Sequence, residues 1–141
     1  MKKVLIICTG NSCRSQMAEG WIREFIDDKI HLFSAGTHPE PVNPIAVKVM
    51  EMASIDISYY QSNLIDDYLS LDLDYVITVC DSAKELCPTF PTAGKIIHQS
   101  FPDPAKAEGS AEQILSTYIS VRDMLKSFCK DFVQTELRIM I

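Results

Sequence analysis

The chain has 141 residues, 47% of them apolar, which suits one domain spanning 1–141 with a substantial core. A formal net charge of -6 at pH 7 excludes a general nucleic-acid or anionic-membrane binder, since either needs a basic face. Any anion this protein holds must therefore be caught by local geometry.

The start "MKKVLIICTG" carries too short an apolar run for a signal peptide or a membrane span, so a cytoplasmic protein is expected. In that compartment thiols stay reduced, and the five cysteines read as buried apolar residues, metal ligands or redox groups rather than structural disulfides.

In chain order, "KVLIIC" (3–8) is an unbroken apolar run of the kind found in a central parallel strand. "QMAEGWIREFIDD" (16–28) places Met17, Trp21 and Phe25 at spacing four, which predicts an amphipathic helix. "HLFSAGT" (31–37) predicts a second strand. Asn43 as cap and Pro44 at the first helical position predict a helix over "NPIAVKVMEMA". "LDYVITVC" (73–80) and the shorter "GKIIHQS" (94–100) read as further strands. From Ser110 onward, Ile114, Tyr118, Val121, Leu125, Phe128 and Phe132 keep a helical rhythm for more than five turns. Strands alternating with helices predict a three-layer α/β domain around a four-stranded parallel sheet, with its site at the strands' carboxyl ends. Cys8 and Cys80 both fall there. The tail "LRIMI" is apolar and is expected to pack on the core or on a partner.

Between the first strand and first helix lies "CTGNSCRS" (8–15). A strand, a small polar loop and a helix start point successive backbone N–H groups into one concavity, so Thr9, Gly10, Asn11, Ser12, Cys13 and Arg14 form a nest for tetrahedral oxyanions. Arg14 adds a planar fork able to hold two oxygens. Cys8 at the bottom is the candidate nucleophile, its pKa expected below the free-thiol value of about 8.5. Ser15 can donate to its thiolate and Asn11 can brace the loop. Cys13 is either a second active thiol or a small packing side chain. Cys129, on the last helix, reads as core.

The Cys-x5-Arg-Ser spacing after a strand resembles the low-molecular-weight protein tyrosine phosphatase superfamily, and "CTGNSCRSQMAEG" is most similar to its thioredoxin-coupled arsenate reductase branch. "SAGT", "FPDPA" and "VRDML" extend the resemblance over nearly the whole chain. It implies that Asp103 in "FPDPA" is the general acid for the departing oxygen, a role worth about 10²–10⁴-fold in such reactions; the alternative is a turn that Asp103 merely caps. In the phosphatases a tyrosine commonly follows the Asp-Pro pair. Here Ala105 follows, which weakens the case for phosphotyrosine.

The resemblance also implies that Cys80 and Cys87 in "CDSAKELCP" form a redox pair: Cys8 attacks arsenate, Cys80 attacks Cys8 and releases arsenite, and Cys87 leaves a Cys80–Cys87 disulfide for thioredoxin or a similar thiol carrier. If 81–87 is helical when reduced, seven residues rise about 10 Å, whereas a disulfide needs Cα atoms within about 7 Å. Segment 81–88 is therefore expected to rearrange during the cycle. The alternative for this pair is two small buried residues. Zinc is disfavoured by the seven-residue spacing and by the scatter of His31, His38 and His98. Some members hold potassium through residues that map to Asn11, Glu19, Ser34 and Asn63; the last is an amide where a carboxylate is expected, so no bound cofactor or metal is assigned. A monomer is expected. The competing readings are a phosphatase for phosphotyrosine or small phosphate esters and a thiol-based redox sensor.

Overall fold

The computed structural model describes residues 1–79 and 94–141. The apolar run at the start becomes β1 (Lys2–Cys8), the strand on which the rest is assembled. It pairs in parallel with β2 (Ile30–Gly36) on one side and β3 (Tyr75–Thr78) on the other, and β4 (Lys95–His98) adds to β3, giving the order β2-β1-β3-β4. Val4, Leu5, Ile6 and Ile7 are each 0% exposed, so both faces of β1 are covered. That burial explains why β1 shows no apolar-polar alternation: successive side chains point to opposite faces, and here both faces are core.

Three α-helices complete the described chain: α1 (Arg14–Phe25), α2 (Pro44–Met52) and α3 (Ala111–Thr135). α1 lies against β1, β2 and α3, and α3 also packs on α2. Asn43 caps α2 by accepting from the N–H groups of Ile45 and Ala46, with Pro44 in the first turn, and Ser110 and Gln113 form a reciprocal capping box at the start of α3. Both starts agree with the sequence. α1 begins two residues earlier than its periodicity suggests and stops at Phe25, because Ile26 turns to extended backbone.

The helices are pinned to one another through backbone carbonyls. Trp21 Nε1 on α1 donates to Arg122 O on α3 at 3.1 Å, and Arg122 Nη1 donates to Val49 O on α2 at 2.9 Å. Gly20 fits because a Cβ there would come within 3.0 Å of both Ile57 and Met50. Of the apolar tail, Leu137 and Ile139 pack against the core while Met140 stays 96% exposed.

This is the single α/β domain with a four-stranded parallel sheet that the sequence predicts. β1 ends on Cys8, directly beside Gly36 at the end of β2. Among the described residues, no helix is long and apolar enough to cross a membrane.

Candidate active site

The loop after β1 is shaped by what its carbonyls bond to. Thr9 O accepts from His38 N at 2.9 Å, Gly10 O from Glu40 N at 2.8 Å and Ser12 O from Asn43 N at 2.9 Å, so residues 38–43 form a strap along the loop. In a planar trans peptide the N–H points opposite to the C=O. The N–H groups of Gly10, Asn11 and Cys13 therefore face away from the strap, towards the inside of the loop. The strap fits closely because residue 36 is glycine: a Cβ there would lie 2.6 Å from Thr9 O and 2.8 Å from Asn11 N.

Asn11 is the brace that the sequence suggests, and it does more than expected. Its φ of +47 is a left-handed conformation that asparagine tolerates. Its Oδ1 accepts from Asn63 N at 2.8 Å, its Nδ2 donates to Ser15 Oγ at 2.9 Å, and its carbonyl accepts from Gln16 Nε2 and Ser62 Oγ, both at 2.8 Å. Asn11, Ser15 and Gln16 are each 0% exposed. Because the Asn11 amide already donates to Ser15 Oγ, the serine hydroxyl keeps its own proton to donate elsewhere.

α2 and α3 carry side-chain caps, but α1 has none, and no acidic residue occupies its first turn. The positive end of α1 thus meets the loop with neither a side-chain cap nor an acidic residue to offset it, which is the electrostatic condition for holding an anion. Arg14, the first residue of α1, turns its guanidinium inward. Nη1 donates to Phe101 O at 3.0 Å, Nη2 lies 3.6 Å from Asp103 Oδ2, and Nε is buried without a hydrogen-bond partner.

Asp103 enters from the loop after β4. Its Oδ1 accepts from Ala105 N at 3.1 Å and caps the short 3-10 turn Pro104–Lys106, while Oδ2 faces Arg14. It therefore caps a turn and also lines the cavity. That cavity, about 250 Å³, is walled by Cys8, Thr9, Gly10, Ser12, Cys13, Arg14, His38, Glu40, Asn43, Asp103 and Ala105. Sequence reasoning had not placed His38, Glu40 or Asn43 in this cavity. For Asn43 a signal existed: it caps α2 with Oδ1 and donates through Nδ2 to Tyr118 OH at 3.1 Å.

Cys8 and Cys13 share the cavity wall but differ chemically. Burial pushes the Cys13 thiol up to about 12, with Asp103 adding to the rise and Arg14 opposing it. A buried thiol raised this far favours packing over a second active thiol at Cys13. Cys129 is fully buried, its thiol raised by desolvation alone, and its Sγ approaches Ala18 O at 3.6 Å. It is a core residue, as expected. Cys80 and Cys87 lie outside the described residues.

The four positions that map to a potassium set meet different partners. Glu19 Oε2 is engaged by Arg23 Nε at 2.9 Å, and Asn63 Nδ2 donates to the carbonyls of Ser34 at 3.1 Å and Gln61 at 3.3 Å. Glu19 and Asn63 thus already engage protein partners, while Ser34 Oγ is buried without one. Among the described residues no three His, Cys, Asp or Glu side chains are grouped to hold a metal. His98, at the end of β4, instead contacts Thr78 Oγ1 at 2.6 Å through Nδ1.

Comparison with known proteins agrees with this geometry. The sequence matches the family described as low molecular weight phosphotyrosine protein phosphatase over residues 3–139. It is 43% identical over 134 residues to an arsenate reductase of Halalkalibacterium halodurans, covering 95% of this chain and 96% of that protein, and 41% identical over the same shares to one of Bacillus subtilis. Among solved structures, an arsenate reductase in the phosphate binding state superposes with a TM-score of 0.82 at 33% identity, covering 99% of this chain and 100% of the other. The tyrosine phosphatase Wzb from Escherichia coli K30, in complex with sulphate, shares the fold with a TM-score of 0.81 at 20% identity, covering 96% of this chain and 98% of that one. The chain therefore belongs to the low molecular weight phosphotyrosine protein phosphatase family, within which its similar sequences include proteins named arsenate reductase.

Proposed function

We propose that this protein reduces arsenate to arsenite in the cytoplasm, as a single chain, with electrons drawn from thioredoxin or a similar dithiol carrier. The observation that carries the reading is a cysteine in the loop before a helix that lacks a side-chain cap, with Arg14 and Asp103 in the same small cavity. All of these described groups come from one copy. The relatives at 41–43% identity over 95% of the chain are named arsenate reductases.

The chemistry follows from the groups available. Thr9, Gly10, Asn11, Ser12, Cys13 and Arg14 hold the oxyanion, and Ser15 donates to the Cys8 thiolate. Cys8 attacks As(V), and the displaced oxygen leaves as water with the proton of Asp103. Cys80 then attacks Cys8 sulfur; the S–As bond breaks with its electron pair passing to arsenic, and arsenite departs. Cys87 attacks Cys80 sulfur, frees Cys8, and leaves a Cys80–Cys87 disulfide for the carrier to reduce. Each turnover oxidises two thiols and reduces one As(V) to As(III).

A phosphatase would use the same Cys8, Arg14 and Asp103. Ala105 on the cavity wall offers no aromatic face to a phenyl ring, which favours a compact oxyanion over an aryl ester. The deciding experiment is arsenate-dependent NADPH oxidation with thioredoxin and thioredoxin reductase, comparing wild type with Cys87→Ser. Turnover that the variant loses supports the three-thiol reductase. No arsenate turnover beside brisk phosphate-ester hydrolysis overturns it in favour of a phosphatase.

A further inference from the structure

The cavity captures anions, yet its lining holds one guanidinium and two carboxylates. Asp103 is accounted for as the proton donor. Glu40 is not, and its position is fixed by the strap rather than left to chance. Glu40 N donates to Gly10 O at 2.8 Å, and Glu40 O accepts from Ser62 Oγ. The side chain then turns over the anion loop: a methyl group placed on Gly10 would lie 3.7 Å from Glu40 Oε2 and 3.9 Å from its Cδ.

A carboxylate in that place repels every entering anion, and a partly solvated site screens the repulsion without removing it. The effect is uneven. A compact oxyanion sinks among the N–H groups and Arg14, and meets Glu40 with one charged group. A phosphoryl compound with further negative charges must leave them outside the loop, at the mouth where the Glu40 side chain is exposed. We propose that Glu40 is a specificity-determining residue, a charge filter that admits small inorganic oxyanions and turns away acidic phosphopeptides. This rests on reading the cavity as an oxyanion site.

The test uses Cys8 itself as the reporter and needs no arsenate turnover. Alkylation of the Cys8 peptide is followed by mass spectrometry with neutral iodoacetamide and anionic iodoacetate, in wild type, Glu40→Gln and the remote control Asp131→Asn, about 20 Å along α3 from Tyr118. The backbone bonds of residue 40 survive the Gln substitution, and far-ultraviolet circular dichroism verifies the fold. Glu40→Gln should raise the iodoacetate-to-iodoacetamide ratio roughly 3- to 10-fold, a gain that shrinks in 0.5 M salt, and Asp131→Asn should not. A ratio within twofold of wild type, or a gain indifferent to salt, overturns the proposal. Protection of Cys8 from iodoacetamide supplies the selectivity arm. Glu40→Gln should improve protection by a Glu-Glu-phosphotyrosine peptide more than protection by inorganic phosphate, and equal improvement overturns the filter. If neither anion protects Cys8 in any of the proteins, the oxyanion reading falls and the filter with it.

Discussion

The loop of residues 9–12 and the loop bearing Asp103 face one cavity but are held in different ways. The first is fixed by backbone bonds from His38, Glu40 and Asn43 and by a buried network through Asn11, Ser15, Gln16, Ser62 and Asn63. The second is anchored by Phe101, whose ring meets Phe128 edge-on at 5.6 Å, by buried Pro104, and by Arg14 itself. Asp103 and Ala105 remain partly or wholly exposed. The contrast fits the work proposed for each. Donors that hold an anion are most effective when they need not reorganise, whereas in the proposed role of proton donor Asp103 exchanges its contact with Arg14 for one with the substrate. The Arg14–Asp103 pair is long, at 3.6 Å, and Asp103 keeps part of its side chain in solvent.

The comparison can be broken most sharply at the nucleophile. Cys8→Ser removes the thiolate and should abolish both arsenate turnover and phosphate-ester hydrolysis, while circular dichroism stays unchanged. Asp103→Asn should slow turnover by about 10²–10⁴-fold and leave the urea midpoint near wild type, because asparagine can still cap Pro104–Lys106. The opposite signature is expected on the first loop. Gly36→Ala drives a Cβ into Thr9 O and Asn11 N, and should lower stability by about 2–4 kcal/mol in urea unfolding together with activity. If Gly36→Ala lost activity without losing stability, the two loops would not differ as described.

Smaller effects test Cys13. With its thiol raised to about 12, it should resist iodoacetamide at pH 8 under conditions that alkylate Cys8, as read by peptide mass spectrometry. The same shift sets an alkaline limit. Above the unfolded value of 9.0 the unfolded chain releases the Cys13 proton while the folded chain keeps it, so stability is lost as pH rises from 9 towards 12. Cys129 and Tyr60 are raised by burial too and push in the same direction. Urea midpoints should fall between pH 8.5 and 10.5, and Cys13→Ala should flatten that slope.

Much of this was legible in the residues. "KVLIIC" announced a doubly buried strand, and "CTGNSCRS" the loop, because local composition specifies both. The cap Asn43 was readable for the same reason, and so was the helix that runs on from Ser110. What stayed hidden was long-range. Nothing in "HPEPVNP" says that its N–H groups bond the loop 29 to 31 residues earlier, or that Asn63 N finds Asn11 Oδ1. Nor does the sequence around Glu40 say that the strap carries its side chain over Gly10. The start of α1 was missed because polar loop residues run directly into the helix, and periodicity shows only once apolar residues recur.

The central claim is that Cys8 delivers electrons to arsenic rather than merely displacing phosphate. A single-turnover experiment asks this directly: fully reduced protein, excess arsenate and no thiol carrier, with arsenite and remaining free thiols counted together. The account predicts about one arsenite per chain and the loss of two of the five thiols as a Cys80–Cys87 disulfide. No arsenite, with all five thiols still titratable, would contradict it.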